Sequence, residues 1–241
     1  MLEKEHVLKK VRAAFEHNPQ INLHRFPIQM NWSDEVLTLE GEVETIAAKK
    51  LAMELAAATP GVRGIVDRLH VVPATHMGDG AILDAVNHAL IGDSALQNCT
   101  IRVREKGTVT TVREAYPVEQ GVIEISVHDG VVLLDDHVPS LIHKRLAGVL
   151  AWWVPGCRDV TNGLGVEPPE QDSDEEITEA VRVVFEKNRL VNADQIRVST
   201  RNALVTLEGL VLNNTQKQIA EFDTWYVFGV DRVVNNLKVK E

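Results

Sequence analysis

One pattern recurs three times along the 241-residue chain and constrains its fold more than any other feature. After Gly61, Gly156 and Gly229, apolar residues, an Asp or Asn, a Leu and a Val follow at identical offsets, reading GVRGIVDRLHV, GCRDVTNGLGV and GVDRVVNNLKV. Self-similarity in a fixed order is typical of repeated structural units. The chain is therefore predicted to contain three tandem modules.

Each copy is predicted to run helix–strand–strand–helix–strand. Apolar residues at i, i+4 and i+8 place one stripe on the face of a first helix: Val7/Val11/Phe15, Ile82/Val86/Leu90 and Ile177/Val181/Phe185. Two alternating strands follow, over 28–41, 123–136 and 196–209, with tight turns at Asp34-Glu35, Asp129-Gly130 and Asn202-Ala203. Asp-Gly is a strong two-residue hairpin signal, and the other two dipeptides are weaker ones.

A second apolar-periodic stretch precedes each module glycine and predicts a helix that stops there. A strand–helix–strand connection places the third strand parallel to the second, with both helices on one sheet face. The predicted fold class is α+β, with three tandem αββαβ modules, each a three-stranded mixed sheet with two helices on one face. The other face of each sheet is left uncovered.

Proline-rich and polar breakers divide the chain into modules at 1–73, 78–167 and 173–241. Ser173 followed by Glu176 predicts a capping box at the start of the third module. The second module carries an insert at about 101–122, whose β-prone run Gly107–Val112 predicts an extra hairpin or edge strand. It also has Asp136 where the other copies have Gly41 and Gly209.

The formal charge of −10 disfavours a nucleic acid partner, because such binding depends on basic residues that neutralise phosphates. Basic and acidic residues number 9 and 10 in 1–75, 7 and 11 in 76–166, and 9 and 14 in 167–241. No segment is net basic, so composition gives no support to a polybasic attraction to anionic lipid. The sequence shows neither a signal peptide nor a membrane span, which predicts a cytoplasmic location as the sequence stands, or a periplasmic one if a signal was removed.

The repeat resembles the BON family, named for bacterial osmotically inducible and nodulation proteins. The resemblance rests on strands ending Leu39-Glu40-Gly41 and Leu207-Glu208-Gly209, and on the Gly-Val-x-x-Val/Ile-x-Asn/Asp-x-Leu-x-Val ending in threefold repetition. It implies attachment to phospholipid or envelope surfaces, often in periplasmic proteins of osmotic protection, and no catalytic residues. Typical periplasmic members carry a signal peptide, and this sequence shows none.

Aromatic pairs are the leading binding candidates. Trp152-Trp153 and Trp225-Tyr226 occupy the same two positions before the module glycine, where the first copy has Ala57-Ala58. Adjacent helix positions point about 100° apart, so one ring of each pair is expected in the core and one at an interface or exposed. These pairs are predicted to dock the second module on the third, or otherwise to contact a partner protein or lipid.

Recurring lysines and glycines are the other shared features. Lys49, Lys144 and Lys217 fall near the start of each second helix, where a solvated face is the expectation and a threefold anion contact the alternative. The glycines are predicted to serve turns and helix ends: Gly41, Gly61, Gly156, Gly209 and Gly229. Their spacing does not match a phosphate-binding loop.

Catalytic chemistry has little support in the sequence. A middle-module cluster could suggest metal ligands, but it lacks HExxH or facial-triad spacing: His128, Asp129, Asp135, Asp136, His137 and His143. Cys99 and Cys157 fit no metal-like or catalytic signature and are expected to be buried or idle thiols. No metal and no cofactor are predicted.

The sequence thus predicts a non-enzymatic binding protein of phospholipid or envelope surfaces in a stress-related role. The alternative is a protein–protein scaffold or self-assembling adaptor that uses uncovered sheet faces, edge strands or the insert. A metal-dependent hydrolase is the remote third hypothesis.

Overall fold

The computed structural model describes residues 2–240 and shows the predicted element order in all three copies. The chain divides into two compact units, residues 1–72 and 73–241. The first unit is the first module, and the second unit contains the second and third modules. The predicted α+β class is confirmed.

The first module is a three-stranded sheet in the order β1-β2-β3, with β1 antiparallel and β3 parallel to β2. Both helices pack on the same sheet face over a core that includes Phe15, Leu37, Leu39 and Leu69. Its elements are α1 (Leu2–Glu16), β1 (Gln29–Ser33), β2 (Val36–Val43), α2 (Ile46–Ala57) and β3 (Gly64–Val71).

The second module departs from a three-stranded sheet. Its sheet has six strands in the order β5-β4-β6-β7-β8, with β9 also paired to β7. The third strand of the repeat is split in two between Asn162 and Gly165, since glycines at 163 and 165 weaken a continuous strand. The elements are α3 (Asp79–Gly92), β4 (Cys99–Glu105), β5 (Thr108–Arg113), β6 (Gly121–His128), β7 (Val131–Val138), α4 (Leu141–Trp152), β8 (Asp159–Asn162) and β9 (Gly165–Val166).

The insert forms the predicted hairpin, which starts two residues before the expected boundary, at Cys99. β4 pairs parallel to β6, and β5 runs antiparallel along the outer side of β4. The Arg113 side chain fixes the end of the hairpin by donating to the carbonyls of Ile91, Leu96 and Cys99 at 2.9, 2.5 and 2.9 Å. The insert is therefore an ordered extension of the sheet.

The third module repeats the topology of the first, in the order β10-β11-β12. The capping-box serine is confirmed, because the Ser173 hydroxyl accepts the backbone N–H of Glu176 at 3.3 Å. The elements are α5 (Asp174–Lys187), β10 (Ile196–Arg201), β11 (Leu204–Val211), α6 (Asn214–Tyr226) and β12 (Arg232–Val239).

All three hairpin turns adopt the left-handed conformation at both central positions. Asp34 and Glu35 have φ of 52° and 61°, and Asn202 and Ala203 have φ of 50° and 58°. The weak dipeptides thus form the same type of turn as Asp129-Gly130, because the strand register leaves only two residues for the connection. Tertiary pairing overrides the local preference of Glu35 and Ala203.

The second and third modules share one hydrophobic core. Buried residues from α3, α4 and the six-stranded sheet form a continuous cluster with residues from α5, α6 and β11. Within the described residues, no helix is long and apolar enough to cross a bilayer. The two modules therefore fold against each other through their helical faces.

Candidate functional site

The aromatic pairs meet where α4 packs against α6. Trp152 stacks on Tyr226 with ring centroids 5.4 Å apart and an interplanar angle of 13°. Trp225 lies in the core with 2% of its surface exposed, whereas Trp152, Trp153 and Tyr226 are half-buried. Three of the four aromatics thus line the joint between the modules, and Trp225 is not accessible to a partner or to lipid.

Asp223 lies at the centre of this joint and was not singled out by its sequence context. Its carboxylate accepts Trp153 Nε1 at 2.8 Å and Asn188 Nδ2 at 2.6 Å, and only 3% of the residue is exposed. Burial raises the pKa of Asp223 to about 6, although both hydrogen bonds favour the charged form. Burial beside Asp223 raises the pKa of Tyr226 to about 12.

Arg145 is a second residue of the joint that the sequence did not reveal. Its side chain is fully buried and donates Nε to the Phe228 carbonyl at 2.9 Å and Nη2 to Asp172 at 2.6 Å. A buried guanidinium requires such partners, because desolvation of an unpaired charge is costly. Arg145 therefore ties α4 to the linker and to the module glycine turn of the third copy.

Two further polar contacts reinforce the joint. Glu170 of the linker accepts the backbone N–H of Leu141 at 2.7 Å, and Lys187 donates to Asp93 at 2.8 Å. An open cleft of about 380 Å³ lies beside Asp223, lined by Trp153, Lys187, Asn188, Arg189, Leu190, Ile219, Phe222, Asp223 and Tyr226. The segment that marks the boundary between the second and third modules in the sequence is part of the packed structure.

The recurring lysines do not form a solvated face. Lys49 is 7% exposed, and its ammonium donates to the Leu69 carbonyl at 2.7 Å and pairs with Asp67 at 3.0 Å. Lys217 donates to the equivalent carbonyl of Leu237 at 2.7 Å. The expectation of a solvated face is wrong for these two residues, since each ties its helix to the third strand of its own sheet.

The middle lysine has a different role. Lys144 lies over the Phe228 ring at 5.3 Å, and burial lowers its pKa. The Lys144 carbonyl instead accepts the side chain of Asn162 at 2.7 Å, as the Lys217 carbonyl accepts Asn235 at 3.0 Å. In all three copies the side-chain oxygen of this residue also accepts the backbone N–H of the buried Leu, which explains why the repeat needs Asp or Asn two residues before it.

The structure gives two reasons for the module glycines. Gly209 has φ of 137°, and a Cβ there would lie 2.0 Å from the Gln195 carbonyl oxygen. Gly156 has no positive φ, but its Cβ would lie 2.6 Å from Met77 Cβ. The remaining three have φ in the left-handed region: Gly41, Gly61 and Gly229.

The histidine-rich stretch of the second module is dispersed. His137 Nδ1 lies 2.7 Å from Asp136, His128 Nδ1 lies 3.2 Å from Asp129, and His143 Nδ1 lies 2.6 Å from the Ser140 hydroxyl. Among the side chains that the structure describes, residues 4–240, no group of three potential metal ligands lies together. Cys99 and Cys157 are both buried thiols outside any disulfide, and burial raises the pKa of Cys99.

The uncovered sheet face of the third module gathers cations. Its strand register places Arg201 and Arg232 on either side of Leu204, and Lys238 beside Leu210. Arg197 lies opposite Glu208 on the same face, whereas Val205, Leu207 and Val211 point to the core. All four cations are exposed, and Glu208 is the carboxylate among them.

The same face differs in the other two copies. Where the third module has Arg201 and Arg232, the first has Ser33 and Gly64, and the second has His128 and Asp159. The central acidic position is shared by Glu40, Asp135 and Glu208. The cationic face (Arg197, Arg201, Arg232 and Lys238) is therefore particular to the third copy.

The numbers of basic and acidic residues in each segment do not reveal the cationic face. The third module is net acidic, but many of its carboxylates lie on α5, including Asp174, Glu175, Glu176, Glu179 and Glu186. α5 packs on the covered face of the sheet, whereas period-2 alternation in the strands places the arginines on the uncovered face. In the sequence, the basic residues of this face stand at alternate positions of β10 and β12. A charge count over the whole segment does not show that pattern.

The comparisons agree with the repeat. The family model described as BON domain matches residues 4–73, 105–168 and 173–241. Osmotically-inducible protein Y of Escherichia coli (strain K12) is 27% identical over 165 residues, which are 66% of this chain and 70% of that protein. The predicted family is confirmed, and the second match begins inside the insert hairpin.

Two solved structures align over most of the chain at low similarity. One is the C-terminal domain of CdsD, the structural protein of the type III secretion system of Chlamydia trachomatis, at 13% identity, 97% coverage of both chains and a TM-score of 0.25. The other is the PrgH periplasmic domain, at 10% identity, with 90% of this chain and 96% of that chain covered and a TM-score of 0.24. At these TM-scores neither likeness bears on function.

Proposed function

Because this chain belongs to the BON domain family, we propose that it is a non-catalytic, stress-related protein of the cell envelope that binds anionic phospholipid head groups. The observation that carries this proposal is the cationic face of the third module. The similarity to an osmotically-inducible protein supports the stress-related role. The aromatic pairs are not part of the binding surface, because they are engaged in the joint.

The geometry of the cationic face suits a layer of phosphate groups. Neighbouring strands lie about 4.8 Å apart and alternate residues about 7 Å apart, so the four cations form a flat array and not a closed pocket. Apolar side chains lie among them, with Val234 39% and Leu210 50% exposed. Such a surface can contact a head-group layer without inserting deeply.

An open cleft of about 870 Å³ borders the array where β11 and β12 end. Lys238, Leu210 and Glu208 lie on its wall, together with Lys217 and residues 235–237. Lys217 already donates to the Leu237 carbonyl, and Lys238 is the exposed cation on the wall of this cleft. The cleft gives one head group room beside the flat array.

The expected affinity is modest and salt-dependent. Each basic residue near an anionic bilayer contributes about 1 kcal/mol, and the attraction falls off within a Debye length. Four cations opposed by Glu208 therefore supply about 3 kcal/mol, which is weaker than millimolar binding on its own. The exposed apolar side chains of the same face, Val234 and Leu210, add to this.

The test is co-sedimentation of the chain with vesicles of phosphatidylcholine alone and of phosphatidylcholine with phosphatidylglycerol, at low and at physiological salt. Binding to the anionic vesicles is expected, and the double variant Arg201→Gln/Arg232→Gln should weaken it roughly 30-fold through the loss of two charges. The matched control, Arg182→Gln/Arg189→Gln, removes the same charge from exposed positions off the sheet face.

Comparing the two double variants distinguishes binding through the cationic face from a general effect of net charge. Equal losses in both double variants would show that net charge and not the sheet face controls binding. Absence of binding by the wild-type chain at either salt would contradict the proposed function.

A further inference from the structure

β5 is the outermost strand of the six-stranded sheet and is exposed along nearly its whole length. Thr108 to Val112 are exposed and Arg113 is half-buried. Such an edge offers unpaired backbone groups to another strand, and proteins commonly protect it with proline or inward-pointing charges. The strand reads TVTTVR, which contains no proline and whose one charged residue is Arg113 at its end.

The edge is held in an ordered position. The Arg113 guanidinium contacts three carbonyls of the module body, and the Thr100 hydroxyl accepts the backbone N–H of Ala115 at 3.2 Å. Thr100 also bonds to the Glu119 carboxylate on the loop that leads to β6. A strand fixed at this end presents its edge with little further loss of conformational freedom.

The hairpin register determines which backbone groups point outward. Glu105 pairs with Thr108 around a two-residue turn, so this pair and the pair of Val103 with Thr110 exchange their hydrogen bonds within the hairpin. The N–H and C=O groups of Val109 and Thr111 consequently point away from β4. Val112 is the extra residue of a bulge, which ends the regular edge.

We propose that β5 pairs antiparallel with β5 of a second copy of this chain, so that two six-stranded sheets join across a twofold axis. Thr110 lies opposite Thr110 of the second copy, and Val109 lies opposite Thr111 of the second copy. This register matches the outward groups with each other and keeps each side chain on the same sheet face as its partner.

Charge complementarity favours a second copy as the occupant. Antiparallel pairing places the end of one strand that carries Lys106 near the end of the other that carries Glu114, and the twofold axis repeats this contact. Both side chains are exposed, and Lys106 pairs with its neighbour Glu105 at 3.5 Å. The strand is thus complementary to itself in hydrogen bonding and in charge.

The pairing does not depend on the proposed lipid binding, since β5 and the cationic face belong to different sheets. It gives the protein a means to place two cationic faces on one surface. Because the pairing needs no lipid, the number of copies in solution can be measured without any ligand.

The experiment is sedimentation equilibrium of the full chain over a wide concentration range without lipid. The mass should rise from 26.8 kDa toward twice that value. Val109→Pro removes an outward N–H that the hairpin does not use, and should abolish the dimer while circular dichroism stays unchanged. Lys106→Glu should raise the dissociation constant about tenfold, because two attractions become repulsions.

The decisive variant is the charge swap Lys106→Glu/Glu114→Lys, which should restore the wild-type dissociation constant. Lys9→Glu, on an exposed position of α1, makes the same change in net charge and should leave the mass unchanged. A mass of 26.8 kDa at every concentration would overturn the proposal. So would a dimer that neither Val109→Pro nor Lys106→Glu weakens.

Discussion

The first and third modules share one topology but differ in what their second helices present. Four and three positions before the module glycine, the first module has Ala57 and Ala58, and the third has Trp225 and Tyr226. The first module is a compact unit by itself, whereas the third shares a core with the second. The same backbone therefore serves as an independent domain or as half of a larger one, depending on a few side chains of one helix.

The comparison also separates two uses of a basic residue. In the first module, Lys49 closes its own helix onto its own sheet through Leu69 and Asp67. In the second, Lys144 and Arg145 are directed at the third module, over the Phe228 ring and onto its carbonyl. Helix residues at equal positions in the repeat thus stabilise either one module or the contact between two.

The largest effect is expected for Arg145→Ala. The change removes a fully buried side chain and leaves the Phe228 carbonyl and Asp172 without their donor. The free energy of unfolding of residues 73–241 should fall by about 3 to 4 kcal/mol, as when one partner of a buried pair is removed. Urea unfolding followed by tryptophan fluorescence measures it.

The matched control is Gln218→Ala, which truncates the exposed residue at the equivalent position of the third module. It should change the unfolding free energy by less than about 0.5 kcal/mol. A similar loss in both variants would show that the helix, and not the joint, is sensitive at this position.

Trp152→Ala should weaken the contact between the second and third modules, so that each unfolds separately. It removes the stack on Tyr226 and a half-buried indole, at a cost of about 2 to 3 kcal/mol. We expect residues 73–241 to unfold in two calorimetric transitions instead of one. Tyr226→Phe keeps the stacked ring and should retain a single transition; a single transition in Trp152→Ala as well would contradict the role given to the stack.

Asp223 predicts a pH dependence in the stability of the joined second and third modules. Its pKa is raised from the ordinary 3.8 to about 6, so the folded state favours the protonated carboxyl. The stabilisation is complete below about pH 4 and is lost as the pH rises through about 6, for a total of about 3 kcal/mol. Unfolding of the isolated fragment 73–241 at several pH values measures the slope.

Asp223→Asn should flatten the slope of the unfolding free energy against pH, because an amide does not ionise. One of its two hydrogen bonds is retained, since the amide oxygen can accept from either Trp153 or Asn188. An unchanged slope between pH 4 and 6 in the variant would assign the dependence to other carboxylates.

The smallest effect is expected from the lysines. Lys49→Met should cost the first module about 1.5 kcal/mol, because the buried ammonium bonds to a carbonyl and a carboxylate there. Lys144→Met should cost less, since the Lys144 carbonyl continues to accept Asn162. Thermal unfolding of the two variants gives the two losses of stability. A loss in Lys144→Met equal to or greater than that in Lys49→Met would refute this assignment of roles.

Much of the fold could be predicted because it depends on local patterns. Apolar spacings such as Val7/Val11/Phe15 place a stripe on a helix, and alternation in β2 and β11 sets the core face. The insert hairpin could be predicted for the same reason, from the β-prone run before Arg113. The sixth strand was not predicted, because the repeat aligns residues 159–166 with one continuous strand of the other copies, whereas Gly163 and Gly165 interrupt it.

The candidate site could be predicted only in part. The aromatic pairs are visible in the sequence, and they do meet in the joint as one prediction had it. Asp223 and Arg145 have no sequence signature, because their environments are built from residues as distant as Trp153 and Phe228. The cationic face was hidden because net charge over a segment does not distinguish the two sides of a strand.

The sequence by itself determined the threefold repeat, the order of helices and strands, and the family, because these depend on periodicity and on turn residues that act over short distances. Only the tertiary structure decided which modules join, which charges are buried and which sheet face carries the cations. Those features arise from side chains far apart in the chain, whose burial and pairing exist only once the modules have folded and packed.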